Sequence, residues 1–120
     1  MEIKYTFEFA ELEGKNEIID FLNALNKEDR AKIFAYIFKL IEILDLGIFP
    51  KKSLSKYIKE GIYELRIPLK NRIVRLFYFV KSGKIIIFTN GFIKKTDKIP
   101  KSEIDRAIRI KETFLGVIND

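Results

Sequence analysis

Residues 61–92 read GIYELRIPLKNRIVRLFYFVKSGKIIIFTNGF, and this stretch decides the fold. Ile62 to Pro68 alternates, with Tyr63, Leu65 and Ile67 on one face and Glu64 and Arg66 on the other. Arg72 to Val80 is dense in β-branched and aromatic residues, and Ile85 to Phe92 is almost wholly apolar. Such runs predict strands, and strands this apolar on both faces call for cover on both faces. Lys81-Ser82-Gly83-Lys84 is a hairpin turn between the last two. Gly83 and Gly91 are read as turn residues, and neither belongs to a phosphate-cradling motif.

Working outward, Ile3 to Ala10 alternates as a half-buried strand and ends before Gly14. Asn16 to Leu25 carries Ile18, Ile19, Leu22 and Leu25 at helical spacing. Asn26 is the expected N-cap of a second helix, with Glu28 and Asp29 in its first turn, where the helix dipole favours anions. Ile33, Ile37, Leu40, Ile41 and Leu44 form its apolar stripe, which ends near Gly47. Pro50 to Gly61 reads as a lysine-rich connection. After Pro100 a closing helix places Ile104, Ala107, Ile108, Lys111 and Leu115 at helical spacing, with Ser102 as its expected cap. The predicted order is β-α-α-β-β-β-α in one α+β domain over residues 1–120, a twisted, mainly antiparallel sheet packed by helices.

Composition narrows the chemistry. The 120 residues contain no Cys and no His, which excludes disulfides, thiolate zinc sites, cysteine nucleophiles and histidine general bases. Asp and Glu are scattered without EF-hand spacing, so neither a metal nor another cofactor is expected. Residues 1–50 carry 6 Lys and Arg against 10 Asp and Glu, whereas residues 51–120 carry 17 against 7. A basic half joined to an acidic half suggests one surface that addresses a polyanion. No apolar run reaches the length of a membrane span, and Met1-Glu2-Ile3-Lys4 lacks a signal-peptide pattern, so a cytoplasmic chain without membrane contact is expected.

Cations inside strand patterns are the candidates for chemistry. Arg75 shares its face with Ile73, Phe77 and Phe79, where an arginine costs desolvation unless it is paired or reaches a cleft. One reading is a cross-strand ion pair of Glu64 with Arg75 or Arg66. The other is a phosphate cluster, because a guanidinium fork matches two phosphate oxygens and stays charged. On the second reading Arg66, Arg75, Lys94 and Lys95 are the candidates for that cluster, brought by the hairpin topology to one end of the sheet. Lys52, Lys56, Lys59, Arg72, Phe92 and Tyr78 are the RNA-binding ones, since stacked rings beside cations serve single-stranded RNA.

Four pieces of sequence together carry a resemblance. Gly61-Ile62-Tyr63-Glu64-Leu65-Arg66, Arg72 through Tyr78, Phe92-Ile93-Lys94-Lys95-Thr96, and Pro100 through Glu103-Ile104 and Ala107 resemble the RelE/HigB superfamily, closest to its phage-derived RelE-like branch. The resemblance covers about the last 60 residues. It implies a RelE-like fold and a ribosome-dependent mRNA endonuclease that blocks translation as the toxin of a type II toxin–antitoxin pair. The implied partners are mRNA on the ribosome and a cognate antitoxin with a helix-turn-helix DNA-binding domain. Arg66 and Arg75 fall where such toxins carry catalytic or RNA-binding cations, and Lys94 and Lys95 near a later basic position, so the resemblance makes Arg66, Arg75, Lys94, Lys95 and Glu64 the catalytic candidates. Two departures stand out: Lys98-Ile99 precedes Pro100 where relatives usually place Thr, and no Tyr follows Tyr78. A ParE-like inhibitor of DNA gyrase and a catalytically degenerate, antitoxin-binding co-repressor are the alternatives. Arg75→Ala is expected to abolish toxicity without loss of folding.

Overall fold

A computed structural model describes residues 4–94 and 98–116. Their order is β1 (Thr6–Phe9), α1 (Glu17–Asn23), α2 (Lys27–Asp45), β2 (Ser55–Lys59), β3 (Ile62–Leu69), β4 (Arg72–Lys81), β5 (Ile85–Lys94) and α3 (Lys101–Phe114). The five strands form one sheet in the order β1-β5-β4-β3-β2, antiparallel except where β1 runs parallel to β5. The α+β class therefore holds, with one strand more than expected. β2 lies inside the stretch taken as a lysine-rich connection. Its sequence, Ser-Lys-Tyr-Ile-Lys, has little apolar periodicity because it is an edge strand, and edge lysines discourage pairing with another chain.

Each face of the sheet has its own core. On one side α1 and α2 cover Leu65, Ile67, Val74, Leu76, Tyr78, Ile86 and Phe88 with Ile18, Leu22, Ile33, Ile37 and Leu40. On the other, α3 places Ala107 and Ile110 against Ile62, Phe77, Phe79 and Ile87. Two layers of helix over one sheet explain why β4 and β5 are apolar on both faces.

Side-chain caps fix where α1 and α2 start. Asn16 accepts a hydrogen bond from the Ile19 amide (3.1 Å) and Asn26 one from the Asp29 amide (2.8 Å), each worth about 1 kcal/mol. α3 departs from expectation at both ends. Pro100, not Ser102, is its N-cap and offers no side-chain bond, so the helix begins one residue before Ser102. Its first turn is held from the sheet instead: Asn90 Nδ2 donates to the Glu103 carbonyl (3.2 Å) and to its carboxylate (3.3 Å). Near the other end, Lys111 does not pack as a stripe residue but donates its ammonium to the Glu60 carbonyl in the β2–β3 turn. Leu115 is 45% exposed, and Ile110 takes the buried position.

Asn90 reaches α3 because β5 carries an irregularity. Pairing with β4 shifts between Phe77 opposite Asn90 and Tyr78 opposite Phe88, leaving Thr89 over. The Thr89 hydroxyl, fully buried, donates to Asn90 Oδ1 (2.7 Å) and fixes the amide's orientation.

Candidate functional site

The register of the central strands places Arg66 directly opposite Arg75, and Arg75 directly opposite Phe92. The three positions make a row across β3, β4 and β5 on the face that carries α3. Glu64, two residues before Arg66, shares that face. Glu64 Oε1 accepts a hydrogen bond from Arg75 Nη1 at 2.8 Å and lies 3.5 Å from Arg66 Nε, so one carboxylate oxygen serves both guanidinium groups. Glu64 and Arg75 are buried, while the Arg66 side chain keeps 24% of its surface exposed.

This geometry separates the roles. Two like charges at directly opposed positions repel one another, and the shared carboxylate offsets that repulsion. Arg75, enclosed, cannot hand its guanidinium to a large ligand; Arg66, at the rim, can, with Glu64 orienting it. Of the two readings from sequence, the cross-strand ion pair is present, with Glu64 serving both Arg75 and Arg66. The expectation that Arg75→Ala spares folding is corrected, because the residue is a buried charge in an ion pair.

The remaining candidates are dispersed. Lys94 ends β5 at the register position opposite Ile73, and Lys95 lies outside the described residues. Phe92 is half-buried and packs with the α3-side core. Arg72 is on the other face, bonded to Asp29 in the first turn of α2 (2.8 Å). Lys59, at the end of β2, is exposed beside Glu60 at 3.8 Å.

Lys52, Lys56 and Tyr78 meet elsewhere. They line a groove of about 730 Å3 between the end of α2 and the outer half of the sheet, together with Tyr5, Phe49, Tyr57 and Tyr63. Its wall is the open end of a row of aromatic residues that crosses all five strands in direct register: Tyr57, Tyr63, Tyr78, Phe88 and Phe9. Successive ring centroids are 5.2, 5.3, 5.7 and 6.0 Å apart, with Tyr63 and Tyr78 stacked 14° from parallel. Each such contact is worth about 0.5–1.5 kcal/mol beyond burial. Sequence reading placed Tyr63 in a strand but did not find the groove, since the row exists only once β2 is a strand.

Tyr78 is the buried one of the five tyrosines. Its hydroxyl and that of Ser55 are 2.7 Å apart, and burial pushes its pKa from 10.0 up to about 12 despite that bond. The unfolded chain therefore loses this proton first, and the contribution of Tyr78 to stability, complete below pH 10, falls as pH rises from 10 toward 12. Ultraviolet titration of the tyrosines should show one of the five ionising late. That late step should vanish in Tyr78→Phe; a late step that persists would assign it to another ring.

Among the described residues no group of acids can hold a metal ion, and no helix is long and apolar enough to cross a membrane. A family model described as phage-derived Gp49-like protein (DUF891) matches residues 20–112. The chain belongs to that family. Gp49-like proteins are associated with RelE-like toxins of toxin–antitoxin systems. The match runs from α1 through α3 and includes Glu64, Arg66, Arg75 and Phe92, so the row lies within the family's common region. No curated protein matches the chain.

Proposed function

We propose that this Gp49-like chain is the toxin of a toxin–antitoxin pair and cleaves mRNA on the ribosome. The observation that carries the reading is the row Arg66, Arg75 and Phe92 with Glu64 beneath it, in a family associated with RelE-like toxins. In such a reaction the RNA 2′-oxygen attacks the adjacent phosphorus and loses its proton to a base. The bond from phosphorus to the 5′-oxygen breaks, and that oxygen takes up a proton. The fragments end in a 2′,3′-cyclic phosphate and a free 5′-hydroxyl.

Arg66 is the group placed to hold the non-bridging oxygens, where negative charge builds in the transition state. Glu64 and Arg75 are positioning residues that fix its fork. Phe92 supplies an apolar surface next to them for a base. Glu64, engaged by Arg75, is poorly suited to act as base, which leaves that task to Lys94, the last residue of β5, or to Lys95, next to it in sequence. With no histidine in the chain, acid–base catalysis is limited, and precise placement of the message by the ribosome compensates. A helix-turn-helix antitoxin is the proposed partner.

Induced expression in bacteria, with labelled methionine and thymidine incorporation followed in parallel, tests the reading. Wild type should stop methionine incorporation first. Arg66→Ala should lower the rate of mRNA cleavage at least about 100-fold, as loss of one transition-state donor does, while its thermal unfolding stays near wild type. Early loss of thymidine incorporation would transfer the chain to the gyrase-directed class. Unimpaired growth would leave only an antitoxin-binding role.

A further inference from the structure

The tyrosine groove lies on the α2 side of the sheet, away from the arginine row, and the cleavage reading gives it no task. Four of the chain's five tyrosines line it, joined by Phe49, which is 96% exposed. Its apolar lining is thus mostly aromatic, and its charged lining consists of Lys52 and Lys56 with no acid. The inner end of the aromatic row, Phe88 and Phe9, is covered by Phe34 of α2. The outer end is uncovered, and Tyr57 there is 55% exposed. Tyr57 is nevertheless held in place: its hydroxyl accepts a hydrogen bond from the Gly61 amide (3.1 Å) and its ring meets Tyr63 edge to face.

A row of rings that ends in an open, preformed groove beside two cations suits a ligand with a planar aromatic part and an anionic part. We infer that the groove binds one nucleotide of a single-stranded RNA, its base against Tyr57, Tyr63 and Phe49 and its phosphate near Lys52 and Lys56. Aromatic rings accept any base face, and lysines neutralise the backbone without reading sequence. An acidic protein segment would match the charge equally, but it would be served by aliphatic lining, which is the minority here. The inference extends the RNA-directed reading to a second face, and it is measured by binding, not cleavage.

The test uses the full chain with isotope-labelled tyrosine rings, followed by nuclear magnetic resonance while a hexa-adenylate RNA is added. The ring signals of Tyr57, Tyr63 and Tyr78 should shift saturably, and adenosine 5′-monophosphate should shift the same rings more weakly. Tyr57→Leu, at an exposed edge position, should weaken binding about tenfold with thermal unfolding little changed. Lys52→Ala should weaken it several-fold and flatten its salt dependence.

Ring shifts that are absent with RNA, or equal with inorganic phosphate alone, would overturn the assignment. So would an acidic, leucine-rich peptide that shifts these rings where RNA does not. RNA binding here without translational arrest keeps the groove and removes the toxin reading; arrest with silent rings does the reverse.

Discussion

Glu64→Ala and Arg75→Ala should each lose about 3–5 kcal/mol of stability, because either change removes one partner of a buried ion pair. Denaturant unfolding measures this directly. The double substitution Glu64→Leu with Arg75→Met should recover most of the loss, since two apolar side chains of similar volume carry no desolvation cost. A large coupling energy in the resulting double-mutant cycle is the expected result, and additive losses would mean that the two groups do not act as a pair.

The same cycle separates folding from function. In the apolar double variant Arg66 remains, but the carboxylate that orients it is gone. If Arg66 is the phosphate-binding group and Glu64 its positioning residue, the double variant folds yet cleaves RNA poorly. Wild-type cleavage in that variant would show that the Glu64–Arg75 pair serves the fold alone. Arg75→Ala by itself is an ambiguous probe of catalysis, because an inactive protein and an unfolded one give the same growth phenotype.

The elements that sequence reading found are those whose burial pattern is unambiguous. Asn26 followed by two acids, the stripe from Ile33 to Leu44, and the runs at 62–68, 72–80 and 85–92 each announce their element by local chemistry. β2 was illegible because its partner, β3, supplies the apolar surface, and an edge strand needs only Tyr57 and Ile58 to settle on it. The candidate site was legible in part. Alternation alone puts Glu64 and Arg66 on one face and marks Arg75 as a costly arginine. Which pairing satisfies it depends on register, and register is set by turns and by the shift at Thr89. The groove depends on a cross-strand row that no single segment encodes.

Gly91 shows how a residue's role changes once its neighbours are known. Its place after an apolar run suggested a turn, yet it lies within β5, opposite Leu76, under the ring of Phe21 in α1. A Cβ at this position would fall 2.6–2.9 Å from three carbons of that ring, closer than real contacts allow. Two effects compete in Gly91→Ala. A side chain restricts the unfolded chain and favours folding by about 0.4–1 kcal/mol. The clash forces the ring and α1 away from the sheet, and overpacking of this kind costs about 1–3 kcal/mol. The clash should win, so Gly91→Ala is expected to be destabilised on balance, and Gly91→Val more so. Phe21→Leu should relieve much of the penalty in the Gly91→Ala background while being destabilising on its own, a sign reversal visible in denaturant unfolding. Because Phe21 presses on the α1 side and the arginine row lies on the α3 side, the folded fraction of Gly91→Ala should match wild type in the proposed cleavage assay. Gly91→Ala as stable as wild type would mean that the α1–β5 contact yields more easily than a packed ring should.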